Sequence, residues 1–150
     1  MKAKLINRNS RLQNLLFILT LFFSITSFSQ SNNCEAYAGT LTANDELVTI
    51  MDGTATISAT PNGDMYVPDD FMVIYGLTQG EELLLLAGSH TPEFQVTEPG
   101  NYTIHTLVYN PDTANLGLIN LGSTTGFDVN AYLIQGGGMI CASLDVAGAA

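Results

Sequence analysis

The chain contains no Trp and, beyond Arg11, no Lys or Arg. Those absences exclude whole chemistries. Without lysine, the body of the chain has no P-loop, no Schiff-base nucleophile and no Ser–Lys pair. Gly122 and Gly126 are one position short of the P-loop glycine spacing, and Phe127 stands after the second glycine where that motif needs a lysine. Without arginine there is no bidentate phosphate clamp and no arginine finger. All four basic residues (Lys2, Lys4, Arg8, Arg11) precede all fourteen carboxylates, which begin at Glu35. Residues 30–150 therefore carry a net charge of −14. Such a surface repels nucleic acid and anionic lipid. Charged residues make up 12% of the 150 and hydrophobic ones 46%, the composition of one packed domain rather than a disordered chain.

The basic residues have a different use. They precede an apolar run from Leu15 to Phe28, and Ser27 and Ser29 occupy −3 and −1 of a cut before Gln30. Residues 1–29 read as a secretory signal peptide, which leaves residues 30–150 as a single module. The alternative, a retained anchor, meets a run shorter than the roughly 20 apolar residues a span needs. Cys34 does not follow a lipoprotein box, since Ser31-Asn32-Asn33 precedes it. Export makes an even cysteine count read as a disulfide, and Cys34 and Cys141 allow one intrachain pairing, first strand to last. Two buried thiols are the alternative, and mass separates them.

The rest reads as strands punctuated by turns. Strands are expected over 35–43, 46–51, 54–60, 71–78, 82–87, about 93–96, 102–109 and 139–146. The 82–87 run (ELLLLA) also suits a helix, since Leu and Glu favour one. Glu98-Pro99-Gly100-Asn101 fits a type II turn, which requires a positive φ at Gly100. Tyr102 follows at once, as in the tyrosine corner of immunoglobulin-like sandwiches. Asn110-Pro111 opens a long connection with one or two short helices, and Ser123, Thr124 and Thr125 offer caps for the second. There Phe127, Ala131 and Ile134 fall near helical spacing, beside the pair Val129 and Leu133. The fold class is mainly β, an immunoglobulin-like sandwich with those helices before the last strand.

Few side chains suggest chemistry. His90 and His105 have neither HExxH nor paired spacing for zinc. Ser89, His105 and an Asp make a triad only on paper, with no elbow or oxyanion motif. The expectation is no enzyme and no resident cofactor. Asp64, Asp69 and Asp70 flank one turn-rich segment and are calcium candidates, though without EF-hand spacing; the plainer reading is a solvated acidic surface. Tyr66, Phe71 and Tyr75 are candidates for a sugar-stacking surface. Asp112-Thr113-Ala114 resembles a short O-glycosylation acceptor of some exported bacterial proteins, which makes Thr113 a modification candidate.

Several strings together carry a family resemblance. They are Cys34-Glu35-Ala36-Tyr37-Ala38-Gly39-Thr40-Leu41, Tyr75-Gly76-Leu77-Thr78-Gln79-Gly80, Pro99-Gly100-Asn101-Tyr102-Thr103-Ile104-His105-Thr106-Leu107-Val108-Tyr109 and Ile140-Cys141-Ala142-Ser143-Leu144-Asp145-Val146. The chain resembles a repeat module of the large secreted, adhesin-like surface proteins of gliding Gram-negative bacteria. Such modules usually recur in tandem before a C-terminal sorting domain and have no established activity. This sequence holds one module and no sorting domain. The resemblance implies a structural or adhesive module at the cell surface, with neighbouring modules or glycans as partners. A calcium- or carbohydrate-binding extracellular module is the alternative.

Overall fold

A computed structural model describes residues 34–150; the expected signal peptide, residues 1–29, lies outside them. Seven strands form two antiparallel sheets. They are β1 (Leu41–Ala43), β2 (Ala55–Pro61), β3 (Met72–Gln79), β4 (Leu84–Ser89), β5 (Glu93–Val96), β6 (Tyr102–Tyr109) and β7 (Ala142–Leu144). One sheet has the order β1-β2-β5 and the other β4-β3-β6-β7. Lettered in chain order, with β4 as C′, these are the A-B-E and C′-C-F-G sheets of an immunoglobulin-like sandwich.

Alternation builds the interface between the sheets. Ala55 and Ala59 of β2 are buried while Thr56 and Thr60 are exposed; Phe94 and Val96 of β5 are buried while Glu93 and Gln95 are exposed. They pack with Tyr75, Leu77 and Ile104 of the facing sheet in one apolar cluster. In β6 the pattern changes, and every residue from Ile104 to Tyr109 is buried. Register explains half of this. Ile104, Thr106 and Val108 lie opposite Leu77, Tyr75 and Val73 and share their inward face.

The other half comes from a third layer. His105, Leu107 and Tyr109 point outward from the sandwich, where the 110–141 connection covers Leu107 and Tyr109 and the segment after β7 closes over His105. Leu107, Tyr109, Leu133 and Ala142 form a second cluster, flanked by Ala114, Leu116 and Ile140. The connection contains one helix, α1 (Gly126–Tyr132), and 3₁₀ turns at Leu116–Leu118 and Ile134–Gly136. A capping box starts α1: the Thr125 hydroxyl accepts from the Asp128 amide, and the Asp128 carboxylate accepts from the Thr125 amide. Val129 and Leu133 form the buried stripe, whereas Phe127 is 51% exposed. The two apolar sets interleave on this short segment, and tertiary packing selects the Val129/Leu133 pair.

Three local expectations change. Residues 46–51 are not a strand. Val48 and Ile50 lie against the core, but Leu47 is 90% exposed and only Met51 bridges back, to Thr54. Their alternation reports side-chain burial without a partner strand. The 82–87 run, whose unbroken apolar pattern suits an inner strand, is a strand as expected but lies at the sheet edge as β4, entered through Leu83 at φ 52°. Gly100 is absent from the positive-φ residues, so the 98–101 turn is not type II. Its glycine answers to space, because a Cβ there would stand 2.5 Å from Gln79 Nε2.

Candidate functional site

The first described residues form a strap along the four-stranded sheet. Cys34 is bonded to Cys141, with their Cα atoms 5.1 Å apart and 107 positions separating them. Ala36 and Ala38 turn inward and cluster with Val108, which is wholly buried. The Ala38 amide donates to Ser143 Oγ, at 3.0 Å, next to that cluster. Tyr37, between the two alanines, must turn outward by strand alternation. It meets Tyr66 in an isolated antiparallel bridge, each amide donating to the other's carbonyl at 3.0 and 2.9 Å. Directly opposed residues put their side chains on one face. Both tyrosines are half exposed, at 50% and 53%. Among the described residues, neither phenol makes a hydrogen bond.

The acidic turn beside this pair is differently employed. Asp64 accepts from the Thr40 amide and the Thr40 hydroxyl, each at 2.9 Å, one per carboxylate oxygen. The amide and then the hydroxyl bond hold its pKa below the usual carboxylate value. Asp69 and Asp70 are exposed in the next turn, where the Phe71 amide donates to the Pro68 carbonyl. The fold does not gather Asp64, Asp69 and Asp70 into a ligand set. Among the described residues no three His, Cys, Asp or Glu side chains converge as a metal site would require. Of the three aromatic candidates only Tyr66 faces outward. Tyr75 is in the central core and Phe71 packs against the alanine cluster.

At the β5–β6 corner the Tyr102 hydroxyl donates to the Glu98 carbonyl at 2.7 Å. The Gln79 side chain, in the space left by Gly100, donates to the same phenol at 3.3 Å. Pro99 and Gly100 thus shape the loop that Tyr102 pins.

His105 lies in the outward face of β6, yet it is only 3% exposed. Its Nδ1 is 2.9 Å from the Asp145 carbonyl, which can only accept, so Nδ1 carries the proton. Nε2 then accepts from the Thr78 hydroxyl at 2.8 Å. Burial pushes the His105 pKa below its ordinary value, against the opposing pull of the Asp145 carbonyl. Gly148, at φ 61°, closes over it; a Cβ there would stand 2.8 Å from Nδ1. Both ring nitrogens are committed, and Thr78 is 1% exposed. Ser89 accepts from the Thr91 amide instead. No triad is assembled from these groups.

Two open grooves flank the sandwich. One, about 340 Å³, lies on the outer face of the four-stranded sheet, floored by the opposed pair Gly76 and Gly88 and walled by Ile74, Leu85 and Leu121. The other, about 270 Å³, runs between the 45–50 segment and the Tyr102 corner. His90 is exposed. Thr113 is exposed too, its hydroxyl 3.4 Å from the Asn110 carbonyl. Of the tyrosine pair, Tyr66 is among the sugar-stacking candidates of the sequence and Tyr37 is not. The alternation Ala36-Tyr37-Ala38 marks Tyr37 as outward, but only the fold brings Tyr66 beside it. No match is found among protein-family models, curated proteins or solved structures.

Proposed function

We propose that the chain is an exported structural and adhesive surface module without catalytic activity, of the tandem-repeat kind it resembles. The Cys34–Cys141 bond supports this reading most. A disulfide closing nearly the whole domain suits an oxidising compartment, and a small exported domain gains from constraining its unfolded chain. Among the described residues no helix is long and apolar enough to cross a membrane. His105, which is buried, is committed to structure at both nitrogens. The module's task is mechanical: a disulfide-tied core holds its shape while an acidic surface faces neighbouring modules or glycans.

The test is made in the producing cell. Mass spectrometry of the full-length gene product is expected to find it outside the cell, beginning at Gln30 and two hydrogens lighter than the dithiol. Deleting the gene is expected to reduce cell attachment, with recovery on restoring it. A reduced, intracellular product that keeps residues 1–29 overturns the reading, and so does unchanged attachment in the deletion strain.

A further inference from the structure

The Tyr37–Tyr66 pair is an exposed aromatic surface built on paired backbone. Tyr75 and Tyr109 are covered, at 7% exposure each, while Tyr132 and Phe127 are about as exposed as this pair but are not joined to a second ring by a backbone bridge. Tyr37 and Tyr66 sit side by side in the open on backbone that is fixed at every point. Reciprocal amide bonds join them, the disulfide and the Ala38–Ser143 bond anchor one strand, and Asp64 ties the other to Thr40. A fixed backbone lowers the ordering cost of binding, which leaves two torsions per tyrosine to be held. Opposed Cα atoms in such a pair stand about 5.5 Å apart. That separation is close to the advance per sugar along an extended glycan.

The chemistry narrows the partner. A tyrosine ring offers a negative face with a polar tip, and both phenols are free to donate and accept. The axial C–H face of a pyranose is its natural complement. The surroundings select neutral sugars: Glu35, Asp64, Asp69 and Asp70 lie within four positions of one ring or the other, and no Lys or Arg follows Arg11. A uronate or sulfated glycan meets only like charge. We infer that Tyr37 and Tyr66 form a two-ring stacking platform for neutral hexopyranose chains, the contact through which this module adheres. The inference rests on the surface-module reading and names its ligand class.

The test uses the oxidised mature protein, residues 30–150, with 13C-labelled tyrosine rings. It is titrated with cellohexaose, mannohexaose and laminarihexaose, and with hexagalacturonate as the anionic control. Saturable ring shifts at Tyr37 and Tyr66, with none at Tyr75 or Tyr109, are expected for at least one neutral probe and not for the uronate. Tyr37→Ala and Tyr66→Ala should each weaken binding by about tenfold or more. Tyr37→Phe and Tyr66→Phe, which keep the stacking faces, should restore most of it. Melting temperatures should stay within about 2 °C of the parent, since both side chains are surface groups. No saturation with any neutral probe up to its solubility limit overturns the inference, as does equal binding of the uronate or binding unaffected by both alanine variants. A failed titration leaves the export and attachment result standing, whereas an intracellular reduced product removes the module reading whatever the titration gives.

Discussion

The three-stranded sheet buries one face, whereas in the four-stranded sheet β6 is buried on two. In β2 and β5, threonine, glutamate and glutamine alternate with alanine, phenylalanine and valine, and the polar side is open. In β6 the outward residues His105, Leu107 and Tyr109 are as buried as the inward ones. The 110–141 connection makes the difference at Leu107 and Tyr109, and the segment after β7 makes it at His105. A strand covered on both sides has no tolerant positions, and any polar group in it must be satisfied internally. His105 shows this, with one partner in the neighbouring strand and one in the segment after β7. Among the described residues no buried side-chain nitrogen or oxygen lacks a partner.

The largest expected effect removes the bond that ties the strap to the four-stranded side. Replacing Cys34 and Cys141 together with serine should cost up to about 5 kcal/mol, from the chain-entropy value for a loop of this length. Urea unfolding reads the loss, and a change under about 1 kcal/mol would show that the strap stays docked without it. Next comes a direct contrast of the sheets. Leu107→Ala, on the outer face of β6, should cost about 3 kcal/mol, as much as Ile104→Ala on the inner face. Thr56→Ala and Gln95→Ala, on the outer face of the other sheet, should stay within about 0.5 kcal/mol. A small loss at Leu107 would mean that the connection is not a true third layer.

Tyr102→Phe removes the corner hydrogen bond while keeping the ring, and about 1 kcal/mol is expected. Acid should separate the regions again. His105 has a folded pKa below its unfolded value of 6.5, so the unfolded chain binds more protons as pH falls. Stability is full above that value and declines as pH drops from it towards the folded pKa. His105→Gln should flatten that part of the profile. Asp64 and Asp128 are also depressed, by their bonds from Thr40 and Thr125, and their contribution is lost at lower pH, below 3.8. The smallest response should be to ions. Calcium and magnesium at matched ionic strength should raise the melting temperature equally by screening the −14 surface. A saturable calcium-selective rise would reveal a site that Asp64, already engaged by Thr40, does not suggest.

The three-stranded sheet was open to reading because its alternation records a single buried face. The corner was open because Pro99, Gly100 and Tyr102 stand together. Its turn type was not, because Pro-Gly spacing does not reveal that Gln79 needs the room over Gly100. Residues 46–51 alternate as a strand does, yet lack one, since side-chain burial and backbone pairing are separate conditions. The third layer was hidden because the outward residues of β6 look like an ordinary mix of His, Leu and Tyr until something covers them. Tyr37 could be placed outward from its neighbours, but its partner lies 29 positions away and only folding brings it near.

Composition and order alone determined the charge, the excluded chemistries, the β class and the only possible cysteine pair. These are properties of which atoms the chain has and of a two-residue period that any sheet must obey. The tertiary structure decided which acidic residue is spoken for, that His105 is sealed, and that two distant tyrosines share one surface. Those outcomes depend on strand register and on where the 110–141 connection lies, and both are set by which long-range packing buries the most apolar surface.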